Sequence, residues 1–178
     1  MSQLQEAVNT LRLGECVAYP TEGVWGLGCD PYNSSALLNL KKLKQRDDNK
    51  GYILLASSLE QLEGFIDISA NRERLMTKWP GPHTWIVKLK RGAKAINLGI
   101  NNTIAVRVSN HQTIEMLCNL FGGAIVSTSA NLQGNKPAMT LAEVKEIFPE
   151  VFVLEGELGG IAKSTPVQYL DTGVWVRR

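Results

Sequence analysis

The chain has 178 residues, 44% hydrophobic and 20% charged, with a formal net charge of +2. That length suits one well-buried domain rather than two, and no apolar run approaches the length that a membrane helix needs. The charge is too small to argue by itself for nucleic-acid binding, although local basic patches could still attract phosphates.

The opening Ser2-Gln3-Leu4-Gln5 lacks the basic-then-apolar pattern of a signal peptide, so a cytoplasmic protein without membrane contact is expected. Cys16, Cys29 and Cys118 lie far apart, with no C-x-x-C and no histidine pair beside them, and Cys16 and Cys118 read as core thiols. His83 and His111 are solitary, so no protein-ligated metal site is expected.

In chain order, Leu4, Ala7, Val8 and Leu11 recur at helical spacing behind a capping-box start, and Gly14 stops the pattern, which predicts a helix over Ser2 to Leu13. Cys16 to Tyr19 is a buried strand that Pro20 ends. Thr21 to Pro31 is then expected as a loop whose Gly23, Gly26 and Gly28 let the backbone approach a ligand. Asn33 or Ser34 caps a second helix, which runs through Leu37, Leu38 and Leu40 to Lys44 and delivers the basic run Lys41, Lys42, Lys44 and Arg46. Lys44 and Arg46 diverge on a helix, but where the helix frays both can turn towards one anion, and a polyphosphate suits that geometry. The same run would serve equally as a solvated basic face. Gly51 to Ala56 is a central strand with Lys50 at its entrance. Helices follow from Ser58 through Phe65 and through Leu75 and Met76, before the rigid turn Trp79-Pro80-Gly81-Pro82.

Thr84 to Leu89 and Thr103 to Val108 are expected as strands. Arg107 interrupts the second of these, and a buried guanidinium there requires a partner or an anionic ligand, unless alternation turns it to solvent. Asn110 caps a helix through Ile114, Leu117 and Phe121, and the strand Ala124-Ile125-Val126 then breaks into Ser127-Thr128-Ser129-Ala130-Asn131. Those small polar residues supply hydroxyls, an amide and backbone N–H groups suited to phosphate or carboxylate, though an ordinary turn has the same composition. Thr140 and Glu143 form a capping box for another helix, Val151 to Leu154 is a strand, and the tail pairs Gly156, Gly159 and Gly160 with Ser164, Thr165 and Arg177. Helices alternate with strands, and some strands follow one another without a helix. The expected fold class is therefore α/β, a single domain over residues 1–178 with a twisted mixed sheet flanked by helices.

No Walker-type or dinucleotide fingerprint is present. Across essentially its full length the chain instead resembles the YrdC/TsaC family of L-threonylcarbamoyladenylate synthases. The residues that carry the resemblance are Tyr19-Pro20-Thr21-Glu22 with Gly26-Leu27-Gly28, Lys44-Gln45-Arg46, Trp79-Pro80-Gly81-Pro82, Ala105-Val106-Arg107 and Ser127-Thr128-Ser129-Ala130-Asn131.

The resemblance implies a YrdC-like domain with a concave electropositive cleft, in the short form without a C-terminal domain. It also implies condensation of L-threonine, bicarbonate and ATP into threonylcarbamoyl-AMP and diphosphate, with Mg2+ bound to ATP and the product passed to tRNA-modifying threonylcarbamoyl transferase machinery. Lys44 and Arg46 are then the expected catalytic cations. ATP is expected on Lys44, Arg46, Thr103, Ser129, Asn131 and Arg177, and threonine on Thr21, Lys50, Arg107, Ser127 and Ser164. The family's K-x-R is usually followed by proline, where this chain has Asp47, and Pro166 takes a position usually held by a small aliphatic residue. Two other readings use the same residues: an RNA-binding surface built on the basic run, and the carbamoyl-transfer chemistry of hydrogenase-maturation proteins, whose additional domains do not fit in 178 residues.

Overall fold

The Ser2 hydroxyl accepts a hydrogen bond from the Gln5 N–H at 3.2 Å and starts α1 (Gln3–Arg12), and Gly14 at φ +84° releases the chain after it. The computed structural model describes residues 2–45, 51–93, 101–161 and 163–178. Within them the strands are β1 (Val17–Pro20), β2 (Trp25–Cys29), β3 (Ile53–Ala56), β4 (Thr84–Lys88), β5 (Thr103–Val108), β6 (Ile125–Ser129), β7 (Phe152–Val153), β8 (Val167–Tyr169) and β9 (Trp175–Arg177). The remaining helices are α2 (Ser34–Lys44), α3 (Arg72–Met76), α4 (Gln112–Phe121) and α5 (Leu141–Ile147). All the strands join one mixed sheet in the order β7-β1-β2-β6-β3-β5-β4-β8-β9. β1–β7, β3–β5 and β4–β8 pair parallel and the other neighbours antiparallel. Among the described residues no helix is long and apolar enough to cross a membrane.

Strand alternation sends Leu27, Leu54, Val106 and Val126 to one face, where they pack with Leu37 and Leu40 of α2, Leu75 of α3 and Val144 of α5. On the other face Val17, Tyr19, Leu55 and Ile125 meet Ala7, Val8 and Leu11 of α1 and Ile114, Leu117 and Cys118 of α4. Those two helices cover only part of that face. Further along it, Ile53, Ile86, Thr103 and Ala105 stay half-buried and floor a cavity.

Several sequence expectations are corrected. Trp25 to Cys29 is a strand rather than a loop, and it pairs with β1 from Trp25 to Gly28. Gly26 and Gly28 have no positive φ; they make room for Tyr19, since a Cβ on Gly26 would lie 2.8 Å from the Tyr19 ring and one on Gly28 would lie 2.5 Å from its hydroxyl. Gly23 likewise faces the protein's own backbone, because its Cβ would stand 1.9 Å from the Lys163 carbonyl oxygen.

β6 does not break at Val126. It continues through Ser129, with Ser127 opposite both Gly28 and Ile53, so the strand's N–H groups serve the sheet. The helix expected from Ser58 is only a 3-10 turn at Glu60–Leu62, and the three-residue spacing of Leu59, Leu62 and Phe65 is that of a 3-10 helix. α4 starts behind His111 rather than Asn110, with the Ser109 hydroxyl accepting from the His111 N–H at 3.0 Å. β8 and β9 arise in a tail whose short strands carry no clear periodicity. The Thr140–Glu143 capping box forms as read, as does the Asn33 cap, and Gly122 at φ +92° ends α4.

Replacing Gly28 by alanine puts a methyl group 2.3 Å from the Val126 carbonyl oxygen. Its expected cost is at least the overpacking range of about 1–3 kcal/mol, read as a lower urea midpoint with an unchanged slope.

Candidate active site

The cavity encloses about 510 Å³, within the roughly 300–1,000 Å³ of small-molecule sites. Its floor follows from the sheet register. Gly28, Ser127, Ile53, Ala105, Ile86 and Tyr169 are consecutive cross-strand neighbours and form one row. Continuing the same pairings, Arg107 lies in the row two residues to one side and Thr103 and Ser129 in the row two residues to the other. The Arg107 and Ser129 rows are therefore four residues apart, or about 13 Å along the strands.

At the first end, the Arg107 guanidinium is buried and its Nη2 lies 3.4 Å from Glu22 Oε2, with side chains 5% and 6% exposed. Its Nη1 donates to Thr165 Oγ1 at 2.7 Å, and Glu22 Oε1 accepts from the Ser109 hydroxyl at 2.6 Å. Arg107 Nε is buried without a hydrogen-bond partner. Arg177 Nε and Nη2 donate to the Thr165 carbonyl at 2.9 and 2.6 Å, so Thr165 joins both arginines. Burial, together with the charge of Arg107, lowers the Arg177 pKa from its ordinary value. The tail is held to the loop before β2 by Gly159 N–H donating to the Thr21 carbonyl and Ile161 N–H to that of Glu22, each at 3.0 Å. A Cβ on Gly159 would lie 2.8 Å from Glu22 Cα.

At the other end, the Lys44 ammonium is buried and donates to the Ser129 carbonyl, to the Asn131 carbonyl at 2.7 Å and to Asn131 Oδ1 at 3.3 Å. Lys44 and Asn131 stand behind the cavity wall, whereas Thr21, Thr103, Arg107, Ser127, Ser129, Ser164 and Arg177 line it. Arg46 and Lys50 lie outside the described residues. The structure thus brings seven of the expected binding residues to one wall, withdraws two behind it, and places Arg177 beside Arg107.

Glu22 and Thr165 were not assigned to the site from sequence. The signal for Glu22 was the requirement that a buried arginine have a partner. Among the described residues the wall carries no carboxylate.

The family model Sua5_yciO_yrdC, described as telomere recombination, matches residues 9–178. The chain belongs to the Sua5/YciO/YrdC family. It is 45% identical over 179 residues to the threonylcarbamoyl-AMP synthase of Chromohalobacter salexigens, covering 99% of this chain and 97% of that one. It is 41% identical to the threonylcarbamoyl-AMP synthase of Aliivibrio fischeri, covering 100% of each. The crystal structure of E. coli YciO superposes with a TM-score of 0.84 at 26% identity, covering 99% of this chain and 90% of that one. The conformation that places Thr21, Arg107 and Ser127 on one wall therefore sits in a fold that the family shares.

Removing one member of a buried ion pair leaves the other charge uncompensated. Glu22→Gln is expected to lower stability by about 3–5 kcal/mol in urea unfolding, and combining it with Arg107→Met should cost less than the sum of the two single changes.

Proposed function

We propose that this chain condenses L-threonine, bicarbonate and ATP into threonylcarbamoyl-AMP with release of diphosphate, in the cytoplasm, for tRNA-modifying transferase machinery that installs N6-threonylcarbamoyladenosine. The observation that carries the reading is a cavity with chemically different ends, an arginine pair at one and hydroxyls at the other, in a chain similar over its whole length to proteins named threonylcarbamoyl-AMP synthase.

In this reading the threonine carboxylate lies against Arg107, with Thr21, Ser127 and Ser164 around the amino acid and Lys50 supplementing them. The guanidinium is already charge-balanced by Glu22, so it offers a directed N–H fork rather than a bare cation. Bicarbonate loses hydroxide to give CO2, the threonine amine as free base adds to its carbon, and the proton that nitrogen then releases combines with the hydroxide as water, leaving a carbamate. A carbamate oxygen then attacks the α-phosphorus in line with the departing diphosphate. No covalent intermediate with the protein is required, and the protein's contribution is positioning and charge neutralisation.

ATP extends from that point towards Thr103 and Ser129, with Arg46 on its phosphates and Arg177 closing the site. A magnesium ion would enter on phosphate oxygens and water, since the described wall offers hydroxyls and no carboxylate; when bound it supplies charge neutralisation. Lys44 is buried and so adds nothing to a nucleic-acid surface, which leaves the RNA-binding reading with less support than the enzyme.

Purified protein is expected to release diphosphate only when threonine, bicarbonate, ATP and magnesium are all present; release that ignores threonine would sink the proposal. Serine should react less well, by about 1–3 kcal/mol in kcat/KM, because it lacks the methyl group. Arg107→Lys keeps the charge but loses the fork. It should raise the KM for threonine by the equivalent of roughly 1.5–3 kcal/mol while calorimetry shows ATP affinity nearly unchanged.

A further inference from the structure

Cys16 and Cys29, well separated in the sequence, meet across the open end of the β1–β2 hairpin. Val17 pairs with Gly28 and Ala18 with Leu27, so one further step along the antiparallel register sets Cys16 directly opposite Cys29. Opposite residues in a sheet share a face, and both side chains are packed into the core that α2 closes, 3% and 0% exposed.

The backbone fixes which kind of pair this is. The Ala18 carbonyl accepts from the Leu154 N–H, so the peptide groups of Ala18 face β7 and those of Val17, one residue earlier, face β2. On the other strand, the Trp25 carbonyl accepts from the Ala130 N–H, which turns the peptide groups of Trp25, Leu27 and Cys29 away from β1 and those of Gly28 towards it. Val17 and Gly28 are therefore a hydrogen-bonded pair, and Cys16 and Cys29 a non-hydrogen-bonded one. That is the closer kind, with Cα atoms about 4.5 Å apart, inside the span of roughly 4.4–6.8 Å that a disulfide bridges.

The two sulfurs differ in chemistry. A hydrogen bond to Cys16, and then burial, push the Cys29 thiol well above its ordinary value, so Cys29 keeps its proton. Cys16 stands at the rim of the sheet beside exposed Glu15 and is the sulfur that an oxidant from solvent meets first. Cys118 is out of reach of both. It lies on the opposite face of the sheet, where its thiol donates to the Leu55 carbonyl at 3.5 Å and burial pushes its pKa up to about 12.

We propose that Cys16 and Cys29 are a modification site, at which a peroxide converts the two thiols of the folded protein into a reversible disulfide that staples the open end of the β1–β2 hairpin. The Cys16 sulfur attacks one peroxide oxygen, the O–O bond breaks, and the departing hydroxide takes the Cys16 proton as water, leaving a sulfenic acid. The Cys29 sulfur then attacks the Cys16 sulfur, the S–O bond breaks as the S–S bond forms, and the second hydroxide takes the Cys29 proton as water. Each sulfur gives up one electron and each peroxide oxygen gains one. Thr21 and Glu22 sit at the other end of the same hairpin, so the staple holds a segment of the cavity wall from its base without touching it.

The test treats the full-length reduced protein with hydrogen peroxide under native conditions, alkylates the remaining thiols in denaturant and cleaves after Glu22, which separates the two cysteines. The expected product is the Cys16 peptide joined to the Cys29 peptide, two hydrogens lighter than the pair, with Cys118 alkylated and the link reversed by dithiothreitol. The rate should not change with urea below the unfolding transition, whereas reaction through the unfolded chain would accelerate steeply. The oxidised protein should melt about 5–10 °C higher than the reduced one, and Cys16→Ser should abolish that rise.

Cysteines that stay unlinked, a sulfinic acid on Cys16 with Cys29 still free, a link that includes Cys118, a rate that climbs with urea, or a melting temperature that does not rise would each overturn the proposal. In Cys29→Ser the Cys16 sulfenic acid has no partner and should be trapped by dimedone; label on Cys29 in Cys16→Ser instead would reverse the order of attack and refute the mechanism as written. If neither variant folds, the peptide map and the urea dependence of the unaltered protein decide by themselves.

Discussion

A mixed sheet of this width has two faces to bury, and the described residues supply helices for one face and part of the other. α2, α3 and α5 close the first over Leu27, Leu54, Val106 and Val126. α1 and α4 close the second only over Val17, Tyr19, Leu55 and Ile125. The remaining strip cannot be a solid core, and its residues show it: Thr103 and Ala105 on β5 are half-buried while Ile104 and Val106 between them are buried. The cavity is thus a consequence of coverage, and its chemistry is whatever the strand register brings into that strip.

The charged groups buried at the ends of this strip must be paired, and the pairs tie together segments far apart in sequence. Arg107 joins Glu22 and Thr165, Arg177 reaches the same Thr165, and Lys44 secures Ser129 and Asn131. Each of these is expensive to leave half-made in a low-dielectric setting, so each fixes a geometry as well as a charge. The loop before β2, the segment after β6 and the tail are shaped by these obligations more than by local preference. The close approaches of Gly23 to Lys163 and of Gly159 to Glu22 are the steric counterpart, since any side chain there would push two site segments apart.

Much of this was legible in the residues themselves. Local signals set the helix caps at Ser2, Asn33 and Thr140, and apolar runs set β1, β3, β4 and β5, because hydrogen-bond satisfaction at helix ends and burial periodicity act over a few residues. The mixed α/β class followed from the order of elements, the family from motifs spread along the chain, and Arg107 as a residue in need of a partner from its place in an apolar strand. Only tertiary structure decided which partner, because Glu22 and Thr165 stand 85 and 58 positions away along a path that no local rule reads. It likewise decided that Gly26 and Gly28 belong to a strand shaped by Tyr19, and that Lys44, which on its helix could have faced water, points inward to carbonyls instead. Charge and motif name a residue as important. Whether it meets a ligand or holds another residue that does depends on the direction of its side chain in the packed protein, which is settled by contacts between segments distant in the chain.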